Sequence, residues 1–264
     1  MRPCHVRELE VYGTTVRVAT WPGSGTRPPL LLFNGIGAST EILAPFADAV
    51  GDVEVIAFDV PGTGGSGRAP VPYRLWMLAL LTTRLLDRLG HGPVDVLGVS
   101  WGGALAQQFA LQNPRRCRRL VLAATSPGTL MVPPTPAVLR QFLTPRRYND
   151  PAFRRSVAGA IYGGRARVDP GVADEFRRAS RRGYLLQQLA LAGWTSLPFL
   201  PLLKQRTLIL AGDDDPVIPL ANAHLMRRAI PDASLHVLAD GHLFLISSAE
   251  EAGAVTREFL LGPS

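Results

Sequence analysis

The stretch GVSWGGALAQQFA, residues 98–110, decides the reading of this chain. It sets Ser100 between Gly98 and Gly102, directly after the apolar run VDVLGV (94–99) and directly before an apolar run of helical character. A strand, a sharp turn and a helix would hold the serine at a strained backbone position. Glycine is needed on both sides there, because a Cβ would collide with the neighbouring strand or helix. The hydroxyl is pushed into a crevice that the helix N-terminus faces. The pentapeptide G-x-S-x-G is common by chance, and its meaning comes from this context on both sides.

Working outward, short apolar runs alternate with longer helical patterns. VRELEVYG and TTVRVAT read as a hairpin turning at Gly13. LLLFN (30–34) and VEVIAFD (53–59) read as strands. TEILAPFADAV (40–50) reads as a helix with Thr40 at its N-cap. YRLWMLALLTTRLLDRLG (73–90) reads as a helix that Gly90 ends. RLVLAAT, TLILAG and SLHVLA read as strands, and EEAGAVTREFLL as a closing helix. Continuous apolar strands alternating with helices predict an α/β fold, with a mostly parallel sheet and helices on both faces. The alternation stops between RLVLAAT and TLILAG. Residues 127–200 are rich in Pro, Arg and aromatic residues with helical patches, so they are expected to form an inserted helical cap over the carboxyl ends of the strands. The core is then 1–126 with 201–264.

Composition narrows the function classes. The chain has 264 residues, of which 47% are hydrophobic and 19% charged, a globular balance. No apolar run reaches the ~20 residues of a membrane span, so no integral membrane segment is expected. The opening MRPCHVRELEVYG lacks an apolar signal core and reads as a first strand, which predicts an intracellular protein. Cys4 and Cys117 are too few for a disulfide framework or a thiolate metal site. The net charge of +7 is concentrated in 127–200, where eleven arginines face four acidic residues. No aromatic–basic motif accompanies them, so no nucleic-acid partner is expected.

A serine nucleophile needs a base, an acid that orients the base, and donors for an oxyanion. In this architecture the acid and then the histidine follow the serine in the chain. Of the later histidines, His224 lies in a surface helix and His236 in a strand. His242, in ADGHLF, lies in a loop that can reach back, and is the expected base. The acid is one of Asp213, Asp214 and Asp215 in AGDDDPVIP. Pro216 favours an extended backbone at Asp215, and Asp240 is a rival close to His242. Asp59 is expected to brace the DVPGTGGSG turn. The oxyanion donors are expected to be the backbone N–H groups of Trp101 and of Ile36, in the glycine-rich loop NGIGAS.

FNGIGAS, EVIAFDVPGTGGSG, GVSWGGALAQQFA, RLVLAATSPG, IYGG, GWTS, LILAGDDDPVIPL and DGHLFLI together resemble the α/β-hydrolase superfamily. More particularly, they resemble the intracellular medium-chain-length poly(3-hydroxyalkanoate) depolymerases. The resemblance runs through nearly the whole chain, although the Arg-rich cap has its own sequence between the shared islands. It implies an α/β-hydrolase fold and a serine ester hydrolase with no metal or organic cofactor. The substrate would be a storage polyester, cleaved to 3-hydroxy acids or oligomers through an acyl-enzyme, with the protein cytoplasmic and its partner the granule surface. It carries the nucleophile to Ser100, the base to His242 and the acid to Asp215, the third aspartate of its run. Asn34, Phe142, Tyr148, Tyr162, Tyr184 and Trp194 are the expected substrate-binding residues, the cap aromatics among them as an apolar acyl channel. A general carboxylesterase on small esters and a non-catalytic binding protein on the same scaffold are the other two readings. Activity on short soluble esters but not on polyester would mark the first, and loss of triad members the second.

Overall fold

The apolar runs become strands of a single sheet. The computed structural model describes residues 2–144, 150–175 and 180–262. Its strands are β1 (His5–Val11), β2 (Thr14–Trp21), β3 (Leu30–Phe33), β4 (Val55–Phe58), β5 (Val94–Val99), β6 (Cys117–Ala123), β7 (Arg206–Gly212) and β8 (Ala233–Leu238), in the spatial order β1-β2-β4-β3-β5-β6-β7-β8. β1 and β2 form the expected hairpin across Tyr12 and Gly13, and β2 pairs antiparallel with β4. All other pairings are parallel.

Successive strand residues point to opposite faces, and here both faces are apolar. Leu31, Phe33, Val96, Leu122 and Ile209 enter one cluster with Leu78 and Leu85 of α2 (Leu75–Leu89) and Leu105 and Phe109 of α3 (Trp101–Gln112). Leu30, Leu32, Leu97, Val121 and Leu210 enter a second cluster. It includes Phe46 of α1 (Ala44–Ala49) and Ala252 and Leu260 of the C-terminal helix (Ala249–Leu261). Burial on both faces is why these strands read as unbroken apolar runs.

Two local expectations need correction. Residues 40–50 do not form one helix: a 3-10 turn at Thr40–Leu43 precedes α1. Thr40 is not the N-cap either, because Ser39 takes that position. The Thr40 N–H is instead satisfied by the Asp59 carboxylate at 2.9 Å. That same carboxylate accepts the Gly65 N–H at 2.8 Å and pairs with Arg17 at 3.1 Å, so Asp59 braces its turn as expected.

Between β6 and β7 lie α4 (Pro136–Leu143), α5 (Pro151–Tyr162) and α6 (Arg181–Leu191), with 3-10 turns at Gly164–Arg167, Pro170–Glu175 and Leu197–Leu202. Proline at the first turn and a side-chain N-cap start two of these helices. Thr135 Oγ1 accepts from Val138 N–H, and Asp150 Oδ1 from Phe153 N–H at 3.0 Å. Ser180 caps α6 through the Gly183 N–H at 2.9 Å. The segment is tied to loops at the carboxyl ends of the strands. Asp214, after β7, accepts the Gly164 N–H at 2.7 Å and a two-pronged pair from Arg167 at 2.7 and 2.9 Å. Asp240, after β8, accepts the Arg165 N–H at 2.8 Å, the Gly241 N–H at 2.7 Å and the hydroxyls of Ser247 and Ser248, each at 2.6 Å. Burial opposes charge on Asp240, but these donors outweigh it and hold the carboxyl below its ordinary value.

Helix α3 approaches the sheet closely enough to exclude any side chain at two positions. A Cβ on Gly102 would stand 2.2 Å from the Phe33 carbonyl oxygen, and one on Gly98 would stand 2.3 Å from the Gly102 carbonyl oxygen. Gly102→Ala should therefore lower unfolding stability by about 1–3 kcal/mol, the usual range for overpacking. A urea midpoint equal to wild type would contradict the close approach.

The Asp240 cluster has a pH signature. A depressed folded-state pKa stabilises above the ordinary aspartate value of about 3.9, and the contribution is lost as pH falls through the depressed value. Asp240→Asn should be less stable than wild type at pH 7, and the difference should shrink below about pH 4. Denaturation curves across that range test it, and a gap independent of pH would count against the account.

Candidate active site

Ser100 caps β5 and starts α3 with φ 55° and ψ −119°. Only Tyr12 and Ala124 join it as non-glycine residues with positive φ among the described residues. Such a conformation is strained for an L side chain and persists only where the surroundings fix it. Here Ser100 N–H donates to the Ala123 carbonyl at 2.9 Å, and the Ser100 carbonyl accepts from Thr125 Oγ1 at 2.7 Å and Gly103 N–H at 2.9 Å.

His242 reaches the serine from the loop after β8. Its Nε2 lies 3.1 Å from Ser100 Oγ, and its Nδ1 lies 2.7 Å from Asp215 Oδ2. With Nδ1 protonated and donating to the carboxylate, Nε2 is left as an acceptor for the serine proton. The other Asp215 oxygen, Oδ1, accepts the N–H groups of Val217 and Ile218, both at 2.9 Å, which fixes the carboxylate against rotation. The Asp215 and His242 side chains are 1% and 7% exposed, so solvent competes little for their hydrogen bond. The Tyr162 carbonyl accepts the His242 N–H at 2.7 Å, and the Tyr162 ring stacks on the imidazole with centroids 6.3 Å apart.

The three aspartates that sequence chemistry left together now separate. Asp213 is exposed. Asp214 is engaged by Arg167 and Gly164, and the guanidinium holds its carboxyl below the ordinary value. Asp215 alone meets the imidazole. The rival Asp240 is occupied by its four donors. His224 is exposed and His236 lies 3.4 Å from Glu251, so neither belongs to this array.

Gly35 brings the loop after β3 against the serine: a Cβ at Gly35 would lie 3.8 Å from the Ser100 Cβ. Ile36 and Trp101 both line the cavity into which Ser100 opens. Neither backbone N–H has a hydrogen-bond acceptor among the described residues. No cluster of three or more His, Cys, Asp or Glu side chains is placed to hold a metal ion among the described residues.

The cavity has a volume of about 440 Å³. Its walls are mostly aliphatic: Ala104, Met131, Pro133, Pro134, Val138, Leu139, Leu191, Val217 and Ile218. Tyr162, Tyr184 and Trp194, three of the five rings expected to form an aromatic channel, are not among them. Tyr162 stands on the imidazole, and the Trp194 indole N–H donates to Gln108 at 2.9 Å while its ring backs Gly128. Neither Trp194 nor Tyr184 lines the cavity. Asn34 is a brace for its own loop, donating to the Ser39 carbonyl at 2.7 Å and accepting the Gly35 N–H at 2.8 Å. Tyr148 and the Phe142 side chain lie outside the described residues. Tyr162 and Trp194 are engaged elsewhere, and Met131, Pro133 and Leu191, which do line the cavity, carry no sequence signal that separates them from core residues.

The model of the α/β-hydrolase fold family matches residues 28–249. A poly(3-hydroxyalkanoate) depolymerase of Ectopseudomonas oleovorans is 50% identical over 264 residues, covering 98% of this chain and 93% of that protein. The 3-oxoadipate enol-lactonase 2 of Acinetobacter baylyi is 29% identical, covering 88% and 87%. Among solved structures, an enol-lactonase from Burkholderia xenovorans superposes with a TM-score of 0.80 at 22% identity, covering 97% of this chain and all of that one. A thermophilic esterase from Thermogutta terrifontis gives 0.78 at 24%, covering 97% and 98%. At these identities the two structures speak to the fold alone. The chain belongs to the α/β-hydrolase fold family, as an ester hydrolase similar to the E. oleovorans depolymerase.

Proposed function

We propose that the protein is a serine ester hydrolase that cleaves poly(3-hydroxyalkanoate) to 3-hydroxy acids or short oligomers. The observation that carries this reading is the hydrogen-bonded run Ser100–His242–Asp215 opening onto a large apolar cavity. The 50% identity with a depolymerase supports the polyester as substrate.

Ser100 Oγ attacks the ester carbonyl carbon while its proton passes to His242 Nε2. Asp215 holds the imidazole in the required tautomer and offsets the charge of the imidazolium. The developing oxyanion takes the free N–H groups of Ile36 and Trp101, donors set in place before the reaction. As the tetrahedral centre collapses, the C–O ester bond breaks and His242 returns the proton to the leaving alkoxide. This leaves an acyl-serine and a chain ending in a hydroxyl. Water, deprotonated by His242, then attacks the acyl-serine; collapse frees the acid and restores the Ser100 hydroxyl. The aliphatic walls suit the alkyl side chain of a hydroxyacyl unit, which buries apolar surface at roughly 25 cal/mol per Å². Residues 127–200 act as a cap, supplying Met131, Pro133, Pro134, Val138, Leu139 and Leu191 to those walls. The arginine excess of this segment favours contact with an anionic granule coat in the cytoplasm.

Granule clearing tests the substrate. Purified enzyme should clear a suspension of medium-chain-length polyester and release 3-hydroxy acids or oligomers. Ser100→Ala should fold normally and lose at least about 10⁴-fold in turnover. Hydrolysis of short p-nitrophenyl esters with no clearing would make the protein a general carboxylesterase instead. Binding of Ser100→Ala to coated granules should weaken as salt rises if the basic cap makes contact, and salt-independent binding would remove that part of the proposal.

Asp215→Asn should reduce kcat by about 10³- to 10⁴-fold, because an amide cannot hold the imidazole in the right tautomer or balance its charge. Asp213→Asn should be near wild type. Asp214→Asn should lower stability more than turnover. Equal losses at all three aspartates would reject Asp215 as the acid.

A further inference from the structure

The two proposed oxyanion donors come from different parts of the chain, the loop after β3 and the start of α3, and one residue of the segment between β6 and β7 is bonded to a neighbouring group in each part. Gln187 of α6 is 2% exposed. Its side-chain carbonyl accepts the Gly37 N–H at 2.8 Å, and its backbone carbonyl accepts the Trp101 indole N–H at 2.9 Å. Gln187 does not line the aliphatic cavity. It borders a void of about 10 Å³ behind the loop, together with Asn34, Gly35, Thr63 and Trp101. Its neighbour Gln188 is the one that reaches the cavity.

We infer that Gln187 is a positioning residue that sets the oxyanion donors of Ile36 and Trp101. This rests on the donor assignment made above. Residues 35–38 form a turn closed by the Ala38 N–H on the Gly35 carbonyl at 3.3 Å. Gly37 has φ 71° and Ile36 is not among the positive-φ residues, which makes the turn type II. Types I and II differ by a flip of the central peptide, here the one joining Ile36 to Gly37. Glycine at position 37 accepts either sign of φ, so the loop sequence does not choose between them. Gln187 does choose. In the observed form its carbonyl meets an N–H, whereas after a flip it would face the Ile36 carbonyl, acceptor against acceptor. The flipped peptide shares the Ile36 Cα with the peptide that bears the Ile36 N–H, so fixing the first restrains the second. The indole bond does the same for Trp101 by tying its side chain to α6.

Gln187→Met keeps length and the backbone carbonyl but removes the acceptor. With a short p-nitrophenyl ester, kcat should fall about 10- to 100-fold while KM stays within about twofold, because the lost interaction serves the transition state. Affinity for an alkyl trifluoromethyl ketone, which becomes a tetrahedral oxyanion on Ser100, should fall in step with kcat. Affinity for the matching methyl ketone, which stays trigonal, should not change. Trp101→Phe removes the other contact and should show the same split, so a misfolded Met variant still leaves a measurement. A folded Gln187→Met with wild-type kcat would overturn the inference, as would equal weakening of both ketones. Ser100→Ala separates the two levels: if it stays active, the assignment of Ser100 as nucleophile, and with it the oxyanion geometry proposed above, fails. If it is inactive while Gln187→Met turns over normally, only the role of Gln187 fails.

Discussion

The close approach of α3 to the sheet is the constraint on which the site depends. With no Cβ at Gly98 or Gly102, the helix starts hard against the carbonyls that end β3, and the chain must turn within one residue. That residue is Ser100, at φ 55°. A serine in relaxed extended or helical backbone would lie along the strand or inside the helix. The strain is held by burial around it and by three hydrogen bonds at its own peptide groups, so the hydroxyl is presented at a fixed point above the strand ends.

Two clasps from the segment between β6 and β7 close around that point. One joins residues 162–167 to the loops after β7 and β8 through Asp214, Asp240 and the Tyr162 carbonyl, and so frames the Asp215–His242 pair. The other joins Gln187 to the loops after β3 and β5, and so frames the proposed oxyanion donors. The Asp240 and Gln187 bonds use buried polar groups with defined partners, and such groups fix geometry because an unmade bond in a dry setting is expensive. The segment therefore both walls the cavity and braces the proposed catalytic residues beneath it. The carboxylates divide by environment: Asp214 answers an exposed guanidinium, Asp240 a set of hydroxyl and N–H donors, and Asp215 an imidazole.

The sequence by itself determined the fold class, the strand and helix order, and Ser100 and His242 as partners. Periodicity and glycine spacing are local, and chain order limits which histidine can return to the serine. It also pointed to Ile36 and Trp101, since a donor next to the nucleophile and one on the glycine-rich loop follow from the same topology. Only the tertiary structure decided the rest. It set the Thr40 N–H on the Asp59 carboxylate, nineteen residues on in the chain, at the start of the 3-10 turn that precedes α1. It separated Asp213, Asp214 and Asp215, which look alike in a row and differ only in what they face. It put aliphatic side chains rather than Tyr162, Tyr184 or Trp194 on the cavity wall, and it revealed Gln187. Those outcomes depend on which groups meet across nineteen or more residues of chain, and no local pattern of polarity encodes such a meeting.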